Sequence, residues 1–137
     1  MLPTLHDHLL IGYEVDCLNR TITLHTQQPH WESAPNGQTI KFQGVLGYHF
    51  KNDAFSNIIM SIETPKVEDF IQCYASEMSA AFKEAGALDN WALSKEAAAI
   101  ALIDANMIAV VITSTMGLSG WVLAAHVHLA EKDEPHK

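Results

Sequence analysis

The hydrophobic period of this chain changes twice, and those changes bound what it can fold into. Between His8 and Glu63 the apolar residues mostly alternate. From Val67 to Ala85 they recur at steps of three and four. From Met107 to Ala130 the alternation returns. A period of two belongs to a strand with one buried face, and a period near 3.6 to a helix with an apolar stripe. The chain reads as strands, then helices, then strands.

The first block divides readily. His8–Asp16 places Leu9, Ile11, Tyr13 and Val15 on one side, and Cys17–Arg20 breaks the pattern as a turn does. Thr21–Thr26 resumes it, with Ile22 and Leu24 inward and Thr21, Thr23 and His25 outward. These two segments form an expected hairpin. The stretch 27–38 holds Pro29, Pro35 and the turn pair Asn36-Gly37, the composition of a loop. Thr39–Phe50 alternates as a long strand with Ile40, Phe42, Leu46, Tyr48 and Phe50 on one side. Lys41, Gln43, Val45, Gly47 and His49 take the other, and Asn57–Glu63 is a fourth strand.

The helical block carries Val67, Phe70, Ile71, Tyr74, Met78, Ala81, Phe82 and Ala85 on one face. Thr64 caps it, Pro65 suits its first position, Glu68 and Asp69 suit its positive end, and Gly86 stops it. A second helix is expected over Ser94–Ala105, with Asn106 ending it in the left-handed conformation. Met107–Ser114 and Gly120–Ala130 form a last hairpin through Gly117. In it Trp121, Leu123, Ala125, Val127 and Leu129 face inward, and Val122, Ala124, His126 and His128 outward. The expected fold is α+β, one domain over 1–137, in the order β-β-β-β-α-α-β-β. An antiparallel sheet of about six strands carries two helices on one face.

Charge and cysteine usage narrow the function classes. Eight Lys and Arg stand against sixteen Asp and Glu, a net charge of −8. Nucleic-acid binding needs a basic surface to displace counterions, so the charge argues against that class and fits plain solubility or a basic protein partner. No apolar run reaches membrane-spanning length, because Asp104 and Asn106 interrupt the richest stretch. No basic segment precedes an apolar core at the N-terminus, so a cytoplasmic protein is expected. Cys17 and Cys73 match no metal or redox spacing. Cys73 lies among Glu68, Asp69 and Glu77, which disfavour its thiolate, so a partly buried inert thiol is expected.

One parity remains. Of eight histidines, His6, His8, His25, His49, His126 and His128 all fall on the polar side of an alternating segment. Imidazole binds metals and titrates near neutral pH. Zinc or another divalent transition metal needs three or four ligands converging within about 2.0–2.3 Å. His6, His8, His126 and His128 supply them only if the first and last strands are neighbours. Without that adjacency the same face is a plain polar sheet face, or a surface for a partner whose binding responds to pH between about 7 and 5.5.

No catalytic motif is intact. Gly117-Leu118-Ser119-Gly120 lacks the spacing of a nucleophile elbow and joins two strands. The expected function is a small acidic, non-enzymatic interaction protein. It binds another protein through a His- and Thr-bearing sheet face or a loop, with Trp31, His25, His49, His126 and His128 as candidate contacts. The alternative is a metal-dependent enzyme or metal-binding protein using His6, His8, His126 and His128. A homodimer is also expected, because Ile108, Val110, Ile112, Val122 and Ala124 put more apolar surface outward than one sheet face needs.

Overall fold

The alternating segments become six strands, and the segments of longer period become two helices. The computed structural model describes residues 8–28, 37–84 and 95–131. The strands are β1 (Leu9–Asp16), β2 (Thr21–Gln27), β3 (Gly37–Lys51), β4 (Asn57–Glu63), β5 (Ile108–Met116) and β6 (Ser119–Glu131). The helices α1 (Val67–Glu84) and α2 (Lys95–Asp104) lie between β4 and β5 along the chain. Gly86 and Ser94 lie outside the described residues. Asn106 does take a left-handed conformation after α2, with φ 56°.

The expected open α+β sheet does not form. β1 pairs antiparallel with β2 on one side and with β4 on the other, through Leu9↔Ile58 and Leu10↔Asn57. The order β1-β2-β3-β6-β5-β4 thereby closes into a barrel. Closure turns one sheet face into a lumen and removes sheet edges wherever the ladders are complete. It rests on a pairing between residues about fifty positions apart, which no local pattern announces.

Even eight-stranded barrels leave an interior just wide enough for side chains. With six strands this lumen is packed with them. Ile22, Leu24, Ile40, Phe42, Ile59, Val110, Ile112, Val122 and Ala124 fill it, each at 1 % exposure or less. Thr26 is the polar exception, and its hydroxyl donates to the Gln38 carbonyl at 2.9 Å. A second core lies outside the barrel, where Phe70, Ile71 and Met78 of α1 and Leu102 of α2 cover Ala109, Trp121 and Leu123. Phe70 meets Trp121 edge-on, with ring centroids 5.5 Å apart.

This sandwich corrects the expected dimer face. Val110, Ile112, Val122 and Ala124 are apolar because they line the lumen, with Ile108 packed against the same cluster. Their neighbours Ala109, Trp121 and Leu123 are apolar because helices cover them. Both faces of β5 up to Ile112 and of the first part of β6 are therefore covered, whereas Thr113, Thr115 and Met116 at the end of β5 are exposed.

The alternation slips in β6 and twice in β3. In β3 a register shift between Val45 and Gly47 follows the slip that the two strands share, and Phe50 again packs on the lumen cluster. In β3 the inward residues run Ile40, Phe42 and then Val45; in β6 they run Val122, Ala124 and then Val127. The shared slip occurs where Gly44 faces Ala125. Gly44 has φ 62°, and a Cβ there would stand 2.9 Å from the Ala125 Cβ. A residue without a side chain lets both strands turn a barrel corner together. Beyond the corner β6 has one wet face, and His126 and His128 are exposed on it.

Candidate functional site

The structure separates the histidines that parity had grouped. His8 is buried beside the β1–β4 junction, at 9 % exposure. His6 and Trp31 lie outside the described residues. His25, His126 and His128 share an outer wall made by β2, β3 and β6, in the cross-strand rows Thr23–Lys41–His128 and Thr21–Gln43–His126. His49 is elsewhere, stacked at 6.3 Å on Trp121 and 3.5 Å from the Glu77 carboxylate of α1.

The adjacency that a metal site required is absent. β1 neighbours β2 and β4, whereas β6 neighbours β3 and β5. Among the described residues no group of three or more His, Cys, Asp or Glu is placed to hold a metal ion. His126 and His128 stack on each other with centroids 6.2 Å apart, and His128 Nε2 meets the Gln43 side-chain oxygen at 3.0 Å. Neighbouring polar side chains also engage His25, whose Nε2 lies 3.8 Å from Glu14. Cys73, expected to be partly buried, is exposed, as is Cys17.

A different region stands out, where the barrel is least stitched. β4 pairs with β1 only at Leu9 and Leu10, and β2 pairs with β3 only up to Gln43. Past those points the outer edges of β1 (12–16) and β3 (46–51) face each other without a ladder. Among the described residues, the closing contacts at the two ends are the Leu10↔Asn57 pair and the Val45 N–H donating to Arg20 O at 3.0 Å. Between them side chains fill the seam. Tyr13 meets Phe50 edge-on at 5.6 Å, and Tyr48 meets Phe50 at 5.2 Å.

A recess lies at each end of this seam. One, of about 270 Å³, is lined by Leu10–Tyr13, Asp53, Phe55 and Asn57. The other, of about 210 Å³, is lined by Val15–Cys17, Arg20–Ile22 and Val45–Tyr48. Small-molecule sites usually span about 300–1,000 Å³. These recesses fit single side chains better than a cofactor.

The first recess is walled by a rigid loop. Asn57, 5 % exposed, accepts from the Leu118 N–H at 2.8 Å and the Ala54 N–H at 3.2 Å, and donates to Asp53 at 3.0 Å. Asp53 also accepts from the Phe55 N–H at 3.1 Å and the Tyr13 hydroxyl at 2.9 Å. Gly117 closes the arrangement. Its φ is 93°, and a Cβ there would run into Asn57. Hydrogen bonds from the Asn57 amide, the Phe55 N–H and the Tyr13 hydroxyl hold the Asp53 carboxyl below its ordinary range. The hydrogen bond to Asp53 and partial burial raise the Tyr13 phenol above its ordinary value.

This clamp presents Phe55. Its ring is 98 % exposed and its φ is 66°. A bulky residue in the left-handed region is a true outlier, costing of order 1–3 kcal/mol, and such outliers cluster at ligand clamps. Ile11 lines the same recess and is exposed, and Met60 of β4 and Met116 of β5, the latter paired with Ile58, are exposed as well. The alternation of β1 expects Ile11 inward, but the irregularity between Leu10 and Gly12 leaves Leu10 buried and Ile11 exposed; the sequence carries no functional signal for Phe55, Met60 or Met116. Neither exposure nor φ is visible in a single Phe. Comparison with protein-family models, curated proteins and solved structures finds no match for this chain.

Proposed function

We propose that this chain is a non-enzymatic protein-interaction module that docks its partner on the apolar surface around Phe55. The observation that carries this reading is an aromatic ring left 98 % exposed on a loop held by five hydrogen bonds. Rigid aromatic anchors lose little conformational entropy on binding and dominate interface energetics. Ile11, exposed in the recess that Phe55 borders, adds apolar contact, and Met60 and Met116 are exposed on β4 and β5. The net charge of −8 selects a basic partner and speeds its encounter. The His- and Thr-bearing wall is a weaker candidate, because its long side chains already contact one another and it carries no exposed apolar anchor.

The test is binding of a partner, identified by cross-linking and then purified, to wild type and to Phe55→Ala. Removing a central anchor is expected to weaken binding at least about 30-fold, since a hot-spot truncation costs about 2 kcal/mol or more. Unchanged affinity in Phe55→Ala, with binding instead lost in a His126→Ala/His128→Ala variant, would return the interface to the histidine wall.

A further inference from the structure

The docking reading leaves open what kind of partner segment reaches the recesses beside Phe55. We infer that the seam between β1 and β3 accepts an extended polypeptide as an added strand. That segment carries apolar side chains at positions i and i+4 on its inner face and basic side chains on its outer face. This rests on the reading of the Phe55 surface as a docking site and names its partner.

Backbone chemistry is the first support. Strand residues carry obligatory donors and acceptors on both edges. Over residues 12–16 of β1 the ladder runs to β2 alone, and over residues 46–51 of β3 it runs to β6 alone. Among the described residues, no backbone hydrogen bond crosses the seam between its two closed ends. Such an edge templates another strand unless a lysine, a proline or a covering element blocks it. The β1 edge reads Gly12-Tyr13-Glu14-Val15-Asp16, with neither lysine nor proline.

Spacing is the second support. One recess touches Gly12 and Tyr13, and the other touches Val15 and Asp16. Their outer limits reach Leu10 and Ile22, so their centres lie about four strand residues apart, or roughly 13 Å. In an extended guest that is the spacing of side chains i and i+4, which share a face. The side chain at i+2 then lies over Tyr13, Tyr48 and Phe50, which meet one another along the seam.

Charge decides the occupant. Glu14, Asp16 and Asp53 border the seam and are exposed. The cations nearby are committed: Arg20 donates to the Val45 carbonyl at 3.3 Å, and Lys51 lies 3.9 Å from Glu77. A second copy of this chain would set Glu14 and Asp16 against their own equivalents, and like charges directly opposite are destabilising. A basic segment from a different protein has no such conflict.

The test uses the full chain, isotopically labelled for amide detection, and a library of seven-residue capped peptides. Each has leucine or valine at positions 2 and 6, lysine at 3 and 5, and any residue elsewhere. The best binder is expected to slow amide exchange at residues 12–16 at least tenfold. Methylating its alternate backbone nitrogens, or moving one apolar residue to break the i, i+4 spacing, is expected to weaken it at least tenfold. The inference is overturned if no member protects those amides at millimolar concentration, or if the methylated peptide binds equally well. Protection of the same amides by the chain's own dimer, without peptide, also overturns it. Phe55→Ala separates the two readings. A partner that loses affinity for that variant but tolerates backbone methylation keeps the docking surface and removes strand addition. Sensitivity to methylation with indifference to Phe55→Ala does the reverse.

Discussion

Two parts of one barrel are held shut by different forces. The β5–β6 wall is covered on both faces between Ile108 and Ile112 and between Trp121 and Ala124, with Val122 and Ala124 in the lumen and Trp121 and Leu123 under the helices. It also pairs along both edges, β6 with β3 over twelve residue pairs and β5 with both β4 and β6. The β1–β3 seam has a two-residue ladder at one end, a backbone hydrogen bond at the other and aromatic side chains between. Burying both faces of a wall fixes it in place and hides it. Closing a seam with side chains leaves backbone and an aromatic ring available. The stability of the barrel and its docking surface therefore sit in separate strands.

The sharpest way to break this comparison is a pair of aromatic truncations followed by denaturant unfolding. Trp121→Ala removes a fully buried ring and is expected to cost about 3–5 kcal/mol. Phe55→Ala removes a ring that touches little and is expected to stay within about 0.5 kcal/mol. Equal losses would mean that Phe55 is structural. Asn57→Ala comes next. It strips acceptors from the Leu118 and Ala54 amides and is expected to cost about 2–3 kcal/mol, one of them being buried. A cost below about 0.5 kcal/mol would show that the loop is not clamped.

Tyr13→Phe is milder, no more than about 1 kcal/mol for one exposed hydrogen bond. Its pH dependence sharpens the assignment. The folded Asp53 value is lowered, so its contribution is present above the unfolded value near 3.9 and is lost as pH falls through the folded one. The folded Tyr13 value is raised, so its contribution is present below about 10 and is lost as pH rises through the folded one. Asp53→Asn is expected to bring the Tyr13 phenol titration, read by ultraviolet absorbance, back toward 10. No movement would place the cause elsewhere. Smallest is Phe55→Gly, expected to gain up to about 1 kcal/mol by relieving a left-handed conformation. A loss on that substitution would contradict the strain.

Local pattern made much of the chain legible. The strand β4, the turn at Cys17–Arg20, the face of α1 around Phe70, Ile71, Tyr74 and Met78, and the left-handed Asn106 are all local properties. What parity could not carry was any relation between distant strands. Leu10↔Asn57 closes the barrel, and nothing near either residue says so. The corner at Gly44 and Ala125 flips the inward set in β3 and β6, so Val45, Val122 and Ala124 were read outward and are lumen. The histidine face failed for the same reason. His8, His49 and His126 obey one parity rule on strands that present them to the β1–β4 junction, to α1 and to the outer wall. Phe55 was illegible because its meaning lies in exposure and φ, which one residue letter does not encode.

Native-state hydrogen exchange on the free chain tests the central claim most directly. Amides open either locally or only with global unfolding, depending on how they are paired and buried. Amides of residues 120–124 are expected to exchange only through global unfolding, tracking the full stability. Those of residues 12–16 and 46–51 that face the seam are expected to exchange through local opening, at rates independent of global stability. Seam amides as protected as those of β6 would mean that the barrel is stitched all round, with no strand edge to offer a partner.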